Sequence, residues 1–538
     1  MNTADLIDTL LNPNTYPHPV EVITTIETHI SIVFLTGQYA YKLKKSVDFG
    51  FLDFSTLEKR ENFCFLEVEL NRRTAPDLYL GVTKLTISPN SVRLEQHNQP
   101  SENITVPSDE HIEYMVKMRQ FDPNMVLGRL LKLGVLDYTM VEKLSSQIAK
   151  FHKNASPVAL DEQFGEPKIQ LQPMLDNFPT LNEYFNSSEI QEDLHHLLNW
   201  TNSQYQKLYE FLIQRKKEGF VRACHGDLHL DNIALIDEQP LLFDGIEFNE
   251  FFRLIDVFSD LAFLLIDLDF KQQQACSYKL LSLYLSQTLD FNGLKLLNFY
   301  RVYRTLVRAK ITALRAAQLI DNSLEKTQVE QISKQYIEQA MRYTQAQSEP
   351  KCILLQGISG SGKSYFANQL LDQLEGFNAI IINSDRIRKS LFGMEDATTR
   401  VSDRDKVTLY SADMNQKTYR AMERFTRTCL QQGFNVIVDA TFLKYEHRQK
   451  FYDLSQDAGA NRFLIAINVD KSQAADAILS RQKLNDNPSD ADVQVMQNQR
   501  KHMEAPYDHE NALVLNAREL RQQFPKQTIQ DFLHLPIH

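Results

Sequence analysis

Eight residues past the midpoint of the chain constrain its fold more than any other stretch. Gly357-Ile358-Ser359-Gly360-Ser361-Gly362-Lys363-Ser364 reads G-x-x-x-x-G-K-S. An apolar run, Ile353-Leu354-Leu355, precedes it, and Phe366, Leu370, Leu371 and Leu374 follow at helical spacing. Strand, glycine loop and helix in that order make a phosphate-binding loop. Glycines let successive N–H groups turn inward around phosphate oxygens, and the helix N-terminus adds positive potential. Gly357, Ser359, Gly360, Ser361 and Gly362 are then expected to line the phosphates of ATP. Lys363 reaches the β- and γ-phosphates, and the Ser364 hydroxyl sits on Mg²⁺. A glycine–serine turn that binds nothing is the plainer reading, and the complete motif in its proper context argues against it.

A parallel α/β sheet is expected around this loop. Ala379 to Ile382 is a short apolar strand running into Asn383-Ser384-Asp385-Arg386-Ile387-Arg388-Lys389. Ligands of such sheets bind at the C-terminal ends of the strands, so Asp385 should face the loop and can take a proton from an acceptor hydroxyl. Arg386 or Arg388 suits an acceptor phosphate. A plain helix cap with a solvated basic turn explains the same residues equally well. Asn435 to Val438 is a third strand, ending in Asp439, a carboxylate placed to orient Mg²⁺ or its water. Phe463 to Val469 and Ala512 to Leu515 supply two more strands. Residues 479–503 suit a closing lid in which Arg481 neutralises the transferring phosphoryl group, or else a surface helix and loop.

Upstream, residues 21–45 are rich in β-branched and aromatic residues, interrupted at Thr36-Gly37-Gln38, which predicts two strands. Ala40, Lys42 and Lys44 share one face of the second strand. A lysine pointing inward there can hold ATP phosphates; solvated edge lysines are the plainer reading. Residues 56–73 should form a helix offering Glu61, Glu67 and Glu69 as partners for that lysine. Strands are expected at 77–87 and 111–119, and helices at 125–152, 189–217 and 271–343. Arg301, Arg304, Arg308 and Lys310 form a basic stripe, best read as a solvated face, with an acceptor site for an anion as the alternative. His225-Gly226-Asp227-Leu228-His229-Leu230-Asp231-Asn232 is the second chemical stretch. Asp227 and Asn232 stand five apart, as in a kinase catalytic loop, and the strand Leu241 to Phe243 then delivers Asp244. An amide oxygen and a carboxylate are what Mg²⁺, a hard ion, accepts beside phosphate oxygens.

Residues 225–232 with Asp244 resemble the aminoglycoside phosphotransferase and choline kinase group. The segments THISIVFLTG, YKLKK, FGFLDFSTLEKR, LNRRTAPDLYLGV and FDGIEFNEFFRLIDVFSDLAFLLIDL resemble the N-terminal half of a bacterial bifunctional family. That family joins such a domain to a P-loop kinase-like domain similar to gluconate kinase, polynucleotide kinase and zeta toxin. The resemblance implies an α+β protein-kinase-like fold at 1–345, a linker at 346–351, and an α/β P-loop kinase fold with a parallel sheet at 352–538. It also implies Asp227 as catalytic base, Asn232 and Asp244 as Mg²⁺ ligands, and Lys42 as the ATP lysine with Lys44 as alternative. Asp385 becomes a second hydroxyl-activating base. One departure stands out: no glycine-rich loop precedes Lys42, and only Gly37 lies near.

The expected activity is phosphoryl transfer from ATP to a hydroxyl of a small molecule. A nucleotide-binding regulator with a degenerate first domain and a nucleic-acid 5′-hydroxyl kinase are the alternatives. Residues 349–538 carry 24 Lys and Arg against 24 Asp and Glu, so the net charge of −11 lies wholly in the first 348 residues. Neither part has the basic excess that favours a nucleic-acid partner. The five cysteines lack metal or disulfide spacing, and the most apolar window, Phe251 to Phe270, holds four aspartates. A cytoplasmic protein without a membrane span is expected.

Overall fold

Alternation of aromatic and branched residues with smaller ones carries residues 24–44 into three antiparallel strands: β1 (Thr24–Glu27), β2 (Ser31–Leu35) and β3 (Tyr39–Lys44). In this computed structural model, residues 3–535 are described apart from 102, 103, 105, 322, 346–348 and 485–488. β4 (Tyr79–Ser88), β5 (Ser91–His97) and β6 (His111–Arg119) complete a six-stranded antiparallel sheet ordered β1-β2-β3-β6-β4-β5. Both faces of β3 are covered. Tyr41 and Leu43 join Leu6, Leu10, Tyr16 and Met115, whereas Ala40 meets Cys64, Val68 and Val116. Cys64 and Val68 belong to helix α1 (Leu57–Asn71), which is capped by the Thr56 hydroxyl accepting from the Lys59 N–H.

Packing divides the chain into two units. The first comprises 1–136, 154–173 and 209–264. Besides the sheet it contains the pair β7 (Val221–Ala223) with β10 (Leu254–Asp256), and the hairpin β8 (Ile233–Ile236) with β9 (Gln239–Leu242). The hairpin turns on Asp237 and Glu238, both at positive φ, as a two-residue turn matching strand twist requires.

The second unit comprises 137–153, 174–208 and 265–538. At its centre is a five-stranded, all-parallel sheet ordered β12-β13-β11-β14-β15. The strands are β11 (Lys351–Gln356), β12 (Ala379–Asn383), β13 (Asn435–Asp439), β14 (Asn461–Asn468) and β15 (Leu513–Asn516). β11 is buried from Cys352 onward, as a strand covered on both faces must be. Helices taken from upstream sequence belong to the same unit: α2 (Tyr138–Asn154), α3 (Gln274–Thr288), α4 (Leu294–Ala317) and α5 (Leu324–Thr344). Val302, Leu306, Ala309 and Ala313 of α4 pack on Tyr336, Ile337 and Ala340 of α5. The packing units therefore cut across the chain-order boundary expected at 346–351. Residues 346–348 lie outside the described residues, and Lys351 already opens β11.

The antiparallel lobe and the parallel P-loop sheet are the two expected fold classes. Besides the third strand within residues 21–45, where two were expected, three local expectations differ from the structure. The helix expected over 125–152 is broken, because Gly134 at φ +71 ends the short turns at Leu127–Leu130 and Leu131–Leu133 before α2 begins. β5 was not expected; its residues are mostly exposed and its polar sequence carries little strand signal. The basic stripe is not a solvated face. Arg301 and Arg304 are 2% and 3% exposed, and Arg301 lies between the rings of Tyr278 and Tyr343 at 5.5 and 5.3 Å. Aromatic faces can accept a guanidinium that has left water. Among the described residues, no helix is long and apolar enough to cross a membrane.

Candidate active sites

In the first unit, β3 and α1 bring two lysines to one glutamate. Lys42 Nζ donates to Glu67 Oε1 at 2.9 Å and to Asp244 Oδ1 at 2.5 Å. Lys44 Nζ donates to Glu67 Oε2 at 2.5 Å and also to Glu247. Of the three candidate glutamates, then, Glu67 is the partner. Glu61 instead accepts from Ser101 and pairs with His97, and Glu69 is exposed. Burial raises the Glu67 carboxyl, but the two ammonium groups outweigh it and hold its pKa at about 2. Burial likewise works against charge on Lys42, while Asp244, Glu67 and Glu247 together hold its pKa well above the usual lysine value.

The turn from His225 to Asn232 is fixed from below by Asp260. That carboxylate accepts the backbone N–H groups of His225 and Gly226 at 3.0 and 2.8 Å. Gly226 sits at φ +86, and a Cβ there would lie 2.8 Å from the Phe252 carbonyl oxygen, so only glycine fits. Asn232 Nδ2 donates to the Asp227 carbonyl and to Asp227 Oδ2, both at 2.9 Å. His229 Nδ1 accepts from the Asp231 N–H at 3.2 Å, which leaves the ring proton on Nε2, 3.3 Å from Asp227 Oδ2. The Phe243 N–H donates to the Asn232 carbonyl at 3.0 Å, so the end of β9 brings Asp244 beside Asn232. Asp244 has φ +60, and its N–H donates to the Tyr79 hydroxyl at 3.0 Å. Asp227, Asn232, Asp244 and Lys42 are thus brought together. An amide oxygen and a carboxylate fit a hard divalent ion and a nucleotide's phosphates.

In the second unit, the loop after β11 opens a cleft of about 1250 Å³ lined by Lys363, Ser364, Asp385, Arg388, Tyr410 and Asp439 among others. Gly360 and Gly362 have φ +84 and +89, and a Cβ on Gly360 would lie 2.6 Å from the Ala474 carbonyl oxygen. Lys363, in the first turn of α6 (Lys363–Gln373), folds back to donate to the carbonyls of Gly357 and Ile358 at 2.8 and 3.0 Å. Ser364 Oγ donates to Asp439 Oδ2 at 2.6 Å. Parallel register sets Asn383 opposite Asp439, and Asn383 Nδ2 donates to the same carboxylate oxygen at 2.6 Å. Burial pushes the Asp439 carboxyl up, against Lys363, Ser364 and Asn383, which favour its charge.

Asp385 lies in the first turn of α7 (Ser384–Leu391), capped by Asn383 Oδ1, and it pairs with Arg388 one turn on. Arg386, offered by sequence as an acceptor-binding group, is only 5% exposed and is turned to Glu142 and Tyr138. Helices α8 (Ala412–Gln431), α9 (Tyr445–Asp457) and α10 (Lys471–Leu484) follow, and Arg481 lies within α10. Its side chain falls outside the described residues. α11 (Val493–His502) closes the expected lid stretch, and its Gln499 side-chain oxygen accepts from the Ser359 N–H at 2.8 Å.

Sequence reasoning missed Asn383, Asp260 and Glu247. Asn383 had a signal, a polar residue ending a wholly apolar strand. Asp260 and Glu247 had none, because their partners are set by tertiary packing.

Residues 352–506 match a family model described as an AAA domain. Over 431 residues the chain is 28% identical to uncharacterized proteins of Mycobacterium bovis and Mycobacterium tuberculosis, covering 79% of this chain and 80% of theirs. Similar solved structures include an amicoumacin kinase in complex with AMP-PNP and Ca²⁺, at 11% identity and TM-score 0.40, covering 63% of this chain and 94% of that one. Another is a choline/ethanolamine kinase family protein from Mesorhizobium loti, at 12% and 0.36, covering 64% and 98%. A third is a gluconokinase from Sinorhizobium meliloti, at 18% and 0.24, covering 34% and 90%.

Proposed function

We propose that the chain is an ATP-dependent phosphotransferase with two kinase-like modules, 1–345 and 352–538, each acting on a hydroxyl of a small molecule. The observation that carries this reading is the shared oxygen of Asp439. It meets Ser364 at 2.6 Å and Asn383 at 2.6 Å, in the lining of a cleft that also holds Lys363 and Asp385. A hydroxyl and a carboxylate clustered beside a glycine loop are the donor set Mg²⁺ takes with phosphates. In this reading Mg²⁺, when bound, neutralises the charge that develops on the transferring phosphoryl group. Lys363 leaves the loop carbonyls for the β- and γ-phosphates. Asp385 accepts the proton of the acceptor hydroxyl as its oxygen bonds to phosphorus and the bond to the ADP oxygen breaks. In this reading Arg481, in the polar stretch expected to close as a lid, neutralises charge on the same phosphoryl group.

In the first module Asp227 takes the base's role, held by Asn232 and His229. Asn232 and Asp244 take the metal, and Lys42 takes the phosphates while remaining on Glu67. The ion pair between Lys42 and Asp244 favours a second reading of this module, as an ATP sensor with little turnover, because a nucleotide has to part the two before it binds.

Incubation of the intact protein with γ-labelled ATP and a metabolite extract tests the proposal. Lys363→Ala and Asp227→Ala should each remove a different labelled product. Wild-type labelling by the double variant refutes two-module transfer. No product lost in Asp227→Ala, with Mg-ATP still bound by the Lys363→Ala chain, selects the sensor reading for the first module.

A further inference from the structure

We propose that Tyr138 and Glu142 of α2 are positioning residues of the P-loop cleft, an inference that rests on the phosphotransferase reading of that cleft. They lie 248 and 244 residues before the arginine they hold. That arginine, Arg386, follows the candidate base directly, and Asn383 Oδ1 accepts the N–H groups of Asp385 and Arg386 together, at 3.1 and 3.0 Å. The other end of the Asn383 amide donates to Asp439. The first turn of α7 is therefore tied on one side to the candidate metal carboxylate. Its other tie is the Arg386 guanidinium, buried against the Glu142 carboxylate and 3.3 Å from the Tyr138 hydroxyl. Asp385 stands between the two ties.

A guanidinium this buried must be neutralised where it stands. Arg388 is committed to Asp385, and Lys389 to Asp490 at 2.8 Å and to the carbonyls of Ala397 and Thr399. Each of the three cations of α7 thus has its own carboxylate, and the one given to Arg386 comes from upstream sequence. Farther along α7, Ser390 Oγ donates to the Ser286 carbonyl of α3 at 2.7 Å. With Glu142 neutral, Arg386 loses the carboxylate it is buried against, and Asp385 stands next to it in the same turn of α7. Turning toward Asp385 moves the base, while the glycine loop at 357–362 keeps its own contacts. The expected signature is a slower chemical step at nearly unchanged nucleotide affinity.

The test uses the full chain carrying Asp227→Ala, with Mg-ATP as substrate and water as acceptor, read as phosphate release. Glu142→Gln should lower the Lys363-dependent kcat by at least about tenfold and leave KM for Mg-ATP within about twofold, since small misplacements of a reacting group cost this much or more. Glu142→Asp should restore most of the rate. Tyr138→Phe should cost less than Glu142→Gln. Amide hydrogen exchange over 384–391 should quicken in Glu142→Gln without any ligand. An unchanged kcat, or kcat and KM altered by the same factor, overturns the assignment. If the wild type shows no Lys363-dependent release, the functional reading of the cleft fails, and exchange over 384–391 alone decides the clamp: unaltered exchange refutes it.

Discussion

Replacing Glu67 by Gln should be among the most damaging single changes in the first unit, and the structure sets its size in two ways. Glu67 is fully buried, with one carboxylate oxygen on each of Lys42 and Lys44. Removing one partner of a buried ion pair costs about 3–5 kcal/mol. The same two ammonium groups hold its pKa at about 2 against an ordinary 4.5. That difference of about 2.5 units corresponds to about 3 kcal/mol of stability. The sign follows from the direction of the shift. A carboxyl with a depressed folded pKa stabilises above its unfolded value and loses that contribution as pH falls from about 4.5 toward 2. By pH 3 the wild type has given up about 2 kcal/mol of it. Glu67→Gln should therefore open about 3–5 kcal/mol more easily than wild type at pH 7 and only about 1–3 kcal/mol more easily at pH 3. Urea-dependent pulsed hydrogen exchange, read on peptides covering Tyr39–Lys44 and Leu57–Asn71, measures both. A difference below about 1 kcal/mol at pH 7, or an equal difference at both pH values, refutes the reasoning.

Three further outcomes are expected. Gly360→Ala must hold an alanine at φ +84 with its Cβ against the Ala474 carbonyl, a strain of about 1–3 kcal/mol; calorimetry should show Mg-ATP binding to the P-loop weakened by at least about tenfold in an Asp227→Ala background. Because burial raises the Asp439 pKa, this carboxylate should protonate on acidification before an ordinary one does. The Mg²⁺ concentration needed for half-maximal Lys363-dependent phosphate release should rise accordingly, and Asp439→Asn should need high Mg²⁺ at every pH. Asp227→Asn keeps the shape of the turn but not the base, and should slow transfer by the first module about 10²–10⁴-fold in a labelled-product assay, leaving the Lys363-dependent product untouched.

The P-loop half was the more legible in sequence because its chemistry is local. Gly357 to Ser364 are contiguous, and Asp439 and Asp385 stand at or just past the ends of apolar strands, where a parallel sheet gathers its functional groups. The first unit's turn from His225 to Asn232 was legible for the same reason. Its lysine–glutamate pairing was not. Helix α1 turns Arg60, Glu61, Glu67 and Asn71 inward with Cys64 and Val68, so no apolar stripe marks the buried face. Only the positions of β3, β6 and the loop after β9 distinguish Glu67 from Glu61. Arg301 and Arg304 failed for the opposite reason. Charge periodicity reports a solvated face only when the surroundings are water, and here they include tyrosine rings.

Ile381 of β12 donates its N–H to the Ser282 hydroxyl of α3 at 2.9 Å, and Phe425 of α8 stacks on Phe291 at 4.1 Å. β12 is an outer strand of its sheet. Outer strands invite pairing with foreign chains unless something blunts them. Here the blunting is done by residues translated about a hundred positions earlier, so a gene cut between the halves would release a P-loop fragment with a bare, sticky flank. Shuffling this P-loop half into a new protein would have to carry α3 along with it.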